Sequence, residues 1–95
     1  GTSEFEAAGI ASTPCTTIDC LRVRDAAASL ECRATRILRL AGEANYMVLG
    51  VVTGIHLRDD CVVDGRFDLR ATGWLSRMGY KDYAITTETF EMERP

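Results

Sequence analysis

The chain has 95 residues, 46% hydrophobic and 26% charged, a balance that points to one globular domain, residues 1–95, and excludes a disordered segment. Eleven basic against fourteen acidic residues give a net charge of -3, without the basic surplus of a nucleic-acid binder. No apolar run approaches the ~20 residues of a membrane span, and Gly1-Thr2-Ser3-Glu4-Phe5-Glu6 has neither the basic region nor the apolar stretch of a secretory signal. The expectation is a cytoplasmic protein that meets neither membrane nor nucleic acid. The Gly-Thr start, without Met, has the look of a cloning scar or an excised fragment.

In chain order, Ser3 to Ala8 reads as the last turns of a helix, with Ser3 as N-cap and Gly9 as the left-handed C-terminal residue. Residues 10–15 form a connector in which Pro14 favours extended backbone. Thr16 to Val23 is a weak strand, short but rich in β-branched residues. Ala28 to Leu40 is a stronger one. Ala28, Leu30, Cys32, Ala34, Leu38 and Leu40 alternate with Ser29, Glu31, Arg33, Thr35 and Arg39, a period of two that contradicts a helical stripe. The alternation slips at Arg36 and Ile37, which suggests a twist or bulge.

A turn at 41–44 leads into a second long strand, Asn45 to Arg58. One face carries Met47, Leu49, Val51, Ile55 and Leu57. The other begins with Tyr46, Val48 and Val52 and ends with Gly54, His56 and Arg58. A strand apolar on both faces is covered on both, so its first half is expected between two layers. Its second half is expected to turn one face to solvent, a ligand or another subunit. Gly50 and Gly54 weaken a strand unless something approaches the backbone closely or the chain bends. Asp64-Gly65 marks a turn. Phe67 to Met78 has imperfect helical spacing interrupted by Gly73, so one helix or two short turns fit it. Tyr83 to Met92, with Thr86, Thr87 and Thr89, is the last strand. The two central strands run 13 and 14 residues, against a usual ~5–6. The expected fold is therefore mainly β with short helices, a piece of an antiparallel barrel wall with too few strands to close.

Little chemistry is visible in motifs. There is no dinucleotide-binding glycine motif, no P-loop, no nucleophile elbow and no zincin signature. Cys15, Cys20, Cys32 and Cys61 could make two disulfides, but reduced thiols are expected without a secretory signal. With His56 the sole histidine and no second close cysteine pair, no zinc site is expected. Cys32 reads as a small buried hydrophobe. Asp59-Asp60 reads as a solvated strand end. Two features carry a functional reading. His56 with Arg58 could face an anionic ligand, or could be an exposed strand end. The stretch from Trp74 to Tyr83 gathers aromatic, basic and glycine residues of the kind that surround a planar anion, or it caps a short helix whose Trp packs in the core.

Taken in order, the segments resemble the C-terminal half of the flavin reductase-like, FMN-binding split-barrel family of the flavoredoxin type. Four pieces carry the resemblance: the helix end Glu4 to Ile10, Leu30-Glu31-Cys32-Arg33, the strand Gly50 to Leu57, and Leu75-Ser76-Arg77-Met78-Gly79 followed by Tyr83-Ala84. The chain departs from the family at Ala26-Ala27, where a Ser-Pro pair is usual, and near Cys20-Leu21, where prolines are. It departs again at Tyr80, where the family has glycine. The resemblance implies a parent FMN-dependent oxidoreductase that takes electrons from NAD(P)H or another donor. It implies a homodimer, or a complementary N-terminal half that closes the barrel and makes most FMN contacts. It also implies that Arg77, Lys81 and Tyr83, with His56 as a further candidate, line the flavin or nicotinamide side. The alternative is a non-catalytic flavin-binding or protein-interaction module on the same barrel fold.

Overall fold

The computed structural model describes residues 3–95, so the reading of the Gly-Thr start lies outside the described residues. Contacts group the chain into two units, one ending at His56 and one running Leu57–Pro95. The first opens on a single helical turn, α1 (Glu4–Ala8). Ser3 caps it through its hydroxyl, which accepts from the Phe5 amide, and Gly9 ends it at φ 67°. Strand β1 (Ser12–Pro14) then pairs antiparallel with β2 (Leu21–Val23). The weak strand expected over 16–23 is therefore two-thirds loop, and the expected connector supplies a strand instead. Pro14 fits there because β1 has one hydrogen-bonded neighbour and an open side.

Strands β3 (Ala28–Arg39) and β4 (Tyr46–Leu57) pair with each other through a short connection, closed where the Leu40 amide donates to the Asn45 carbonyl. A link that short makes the pair antiparallel. Their bounds match the period-two reading to within a residue or two. Their faces do not. Glu31 and, in part, Ser29 are covered on the polar face of β3, while on the other face Leu30, Cys32 and Ala34 are exposed and Leu38 is half-buried. On β4 both faces are open: Met47, Leu49, Val51 and Ile55 on one, Tyr46, Val48 and Val52 on the other. Among the described residues, Cys61 is the buried hydrophobic residue, and it lies in the second unit. Strand β4 thus presents large apolar side chains on both faces, as a strand of a barrel wall would.

The second unit starts with a 3-10 turn (Asp59–Cys61) and the tight hairpin β5 (Val62–Val63) to β6 (Arg66–Phe67). Its turn holds Asp64 at φ 52° and Gly65 at φ 72°, both left-handed, as a type I′ hairpin requires. Helix α2 (Leu69–Thr72) is one turn long. The Asp68 side chain caps it by accepting from the Arg70 amide, and Gly73 stops it at φ 64°. The residues beyond, expected to extend this helix or form a second turn, instead form β7 (Leu75–Arg77). It pairs antiparallel with β8 (Tyr83–Ile85), and the Thr86 amide extends the pairing by donating to the Trp74 carbonyl at 2.9 Å, so only the start of the last expected strand is paired. Trp74 is 46% exposed rather than packed in a core. The ladders are four separate antiparallel pairs, and no closed barrel forms among the described residues. No helix among them is long and apolar enough to cross a membrane.

Candidate functional site

The chemistry of the first unit centres on Glu31. Strand β3 carries it on the face that meets the 15–20 loop, and it is only 2% exposed. A buried carboxylate is costly unless donors surround it, and this one is surrounded. The Thr16 amide donates at 2.9 and 3.1 Å to its two oxygens, and the Thr16 hydroxyl at 3.2 Å. The Thr17 amide and hydroxyl each donate at 2.6 Å. His56 Nε2 from β4 completes the set. The Thr53 hydroxyl stands 2.6 Å from that of Thr17 and extends the network along β4.

Gly54 makes this arrangement possible. A Cβ there would lie 3.3 Å from the Glu31 carboxyl carbon and 3.4 Å from the Thr17 methyl. The missing side chain lets carboxylate and loop lie on the strand. The close approach expected of a strand glycine is real here. It is real again at Gly50, whose Cβ would meet the Arg33 carbonyl at 3.0 Å.

The donors fix the protonation of the site. The Thr17 hydroxyl first, then the Thr16 amide, hold the Glu31 carboxyl far below the usual carboxylate range, against the opposing effect of burial. An ionised carboxylate only accepts. His56 Nε2 therefore carries the proton and donates it, which leaves Nδ1 as the second position of a ring held in one orientation. Glu31, saturated with donors, is not a general base. It orients His56. His56 bonds Glu31, while the Arg58 guanidinium bonds Asp60 at 2.6 Å and the Cys61 thiol at 3.3 Å. The sequence reading assigned Glu31, Thr16 and Thr17 no role. The available signal was Gly54 two residues before His56 on the same face of a long strand, a gap wide enough for a carboxylate opposite.

The second unit holds the other three expected residues. Arg77 on β7 faces Tyr83 on β8 in register, and Lys81 lies in the connecting turn. All three are exposed. The Met78 amide donates to the Asp82 carbonyl at 2.8 Å and closes the turn. The hairpin thus brings a guanidinium, an ammonium and a phenol to one end of one ladder. His56 belongs to the other unit and is 24% exposed at its side chain. A cleft of about 750 Å³ also lies in the second unit, between β5–β6, α2 and Thr89 to Glu91. Its arginines are already neutralised, Arg66 by Glu91 at 3.3 Å and Arg70 by Asp68 at 3.0 Å, so it offers an anion little. No three His, Cys, Asp or Glu side chains among the described residues converge as a metal site would require.

No protein-family model matches the chain. It is 28% identical to an uncharacterized protein of Halalkalibacterium halodurans over 98% of its own length and 46% of that protein's. It is 34% identical to an uncharacterized protein of Deinococcus radiodurans over 99% of its length and 42% of that protein's. Two solved structures share the fold. One is nitrilotriacetate monooxygenase component B from Bacillus cereus, with TM-score 0.82, 26% identity, and 94% of this chain laid on 47% of that one. The other is the 2-nitrobenzoate 2-nitroreductase of Pseudomonas fluorescens, with TM-score 0.78, 29% identity, and 98% laid on 48%. The chain spans about half the length of each. Its fold is a mainly antiparallel β arrangement, a partial barrel, shared with proteins named as oxidoreductases.

Proposed function

We propose that residues 1–95 form the C-terminal half of a split-barrel domain of the flavin reductase type, working in the cytoplasm, and that the whole protein is an FMN-dependent oxidoreductase. The observation that carries this is strand β4 of the long β3–β4 hairpin, whose large apolar side chains are exposed on both of its faces. It needs a second set of strands, from a complementary N-terminal half or from the other subunit of a homodimer. The matched relatives and structures, about twice as long, support the same reading. The exposed donor set at the β7–β8 end fits one edge of an anionic, planar group. Arg77 and Lys81 would hold negative charge and Tyr83 would lie against the ring or the nicotinamide. His56, oriented by Glu31, would present its remaining nitrogen to the same ligand class.

When bound, FMN supplies the hydride and electron chemistry, with NAD(P)H as the proposed donor. This chain's cations would stabilise charge that grows on the ring as it is reduced. In the complete protein, Arg77→Ala and Lys81→Ala are expected to weaken FMN binding or slow its reduction about tenfold each, from the loss of a charge-assisted bond. Unchanged flavin titrations and steady-state rates in both variants would remove these residues from the site. A non-catalytic flavin-binding or protein-interaction module is the second reading. It is favoured by the solvent exposure of Arg77, Lys81 and Tyr83. Retention of flavin without NAD(P)H oxidation would select it.

A further inference from the structure

The loop that clamps Glu31 is itself bracketed by two thiols. Cys15 and Cys20 continue the β1–β2 register by one step beyond Pro14 and Leu21, and the Cys15 amide donates to the Cys20 carbonyl at 2.8 Å. Their sulfur atoms are 3.6 Å apart. Directly opposed residues of such a ladder have Cα atoms about 5.5 Å apart, inside the range a disulfide spans. Between the two cysteines lie Thr16 and Thr17, whose amides and hydroxyls make four of the five donor groups on Glu31. We infer that Cys15 and Cys20 form a reversible intramolecular disulfide that locks the 16–19 loop onto the Glu31–His56 pair.

The chemistry needs only a low-molecular-weight disulfide of the glutathione type. Cys20, the more exposed thiol, attacks one sulfur of that disulfide as its thiolate and releases one glutathione thiolate. Cys15 then attacks the Cys20 sulfur and expels the second. Two cysteine thiols are oxidised to one disulfide, one disulfide is reduced to two thiols, and the two cysteine protons pass to the two leaving thiolates. Burial, and then the neighbouring Cys20 thiol, push the Cys15 thiol above its ordinary value. That assigns Cys20 as the attacking group and Cys15 as the resolving one. Cys32 is exposed on β3, and Cys61 is buried in the second unit, bonded by Arg58. Neither shares this geometry.

The test is equilibration of the complete protein across a series of glutathione disulfide-to-thiol ratios, followed by alkylation, peptide mapping and amide hydrogen exchange. Cys15 and Cys20 should lose alkylation together as one linked peptide pair. The Thr16 and Thr17 amides should exchange about tenfold more slowly in the oxidised form. Cys20→Ala should leave Cys15 in no peptide-to-peptide link at any ratio, as free thiol or as its glutathione adduct, while Cys32→Ala should leave the Cys15–Cys20 link unchanged. Alkylation of Cys15 or Cys20 at the most oxidising ratio, a lasting glutathione adduct on Cys20, or a link to Cys32 would overturn the pairing. Unaltered Thr16 and Thr17 exchange in a protein that does form the bond would overturn the lock.

Discussion

At the scale of single residues, the account rests on a carboxylate placed where a carboxylate is costly. Glu31 stays ionised because five donor groups replace its water, and it stays buried because Gly54 leaves space. The sign of its pH effect follows. Its carboxyl is held below the unfolded value of ~4.3, so the stabilisation is complete above that pH and is lost as pH falls toward the lower folded value. Glu31→Gln puts an amide NH2 among donors. It should lower the melting temperature at pH 7 by more than about 5 °C, with the gap from the parent protein narrowing below about pH 4. Melting curves of both proteins from pH 3 to 8 check this. Equal gaps at every pH would show that charge is not the cause. Gly54→Ala presses a methyl on the carboxylate and on Thr17. It should move the His56 ring resonances in NMR while leaving those of Tyr83 in place. The sequence showed His56 as a residue with something to face, but not its partner. Period two assigns Glu31 to a polar face, and polar faces are ordinarily solvated. Only the loop folding back over that face, a tertiary event, reverses the expectation.

Among the elements, long strands were legible and short ones were not. Twelve-residue β3 and β4 carry enough alternation to outweigh local propensity. Strands of two or three residues, such as β1, β5 and β7, are set by turn geometry and by a partner. The stretch 67–78 shows the contest. Leucine, methionine and tryptophan spacing favours a helix, yet Gly73 in the left-handed region ends it after one turn and frees Leu75 to pair with Ile85. The β7–β8 turn also contains a residue at odds with its backbone. Tyr80 sits at φ 57°, where a non-glycine residue carries about 1–2 kcal/mol of strain. Part of that is offset by the extra unfolded-state freedom glycine brings. Tyr80→Gly should therefore stabilise the hairpin by about 0.5–1 kcal/mol, read as a higher melting temperature with FMN affinity unchanged or improved. A lower melting temperature would mean that the exposed ring makes a contact worth more than the strain. The departure at this position from the glycine of the resembled family thus has a definite backbone consequence.

For the molecule as a whole, the decisive feature is apolar surface without a cover. At least seven large side chains of β4 are open on its two faces. Burying each would contribute about 1–2 kcal/mol beyond its present partial cover, of order 10 kcal/mol together. That is comparable to the entire stability of a small domain and enough to outweigh the cost of association. The 95 residues alone are expected to be colourless, to bind a hydrophobic dye and to self-associate. The strand lengths made this incompleteness readable from sequence, since two strands of such length imply a wall. What covers the wall was not readable, since on the proposed reading the cover comes from a complementary half or a second subunit. The most direct test is a flavin titration of this chain alone and of the protein that carries both halves, followed at ~450 nm where bound flavin absorbs. The account predicts stoichiometric FMN in the complete protein and none in the isolated chain. Tight, one-to-one FMN binding by the isolated, monomeric 95 residues would contradict it.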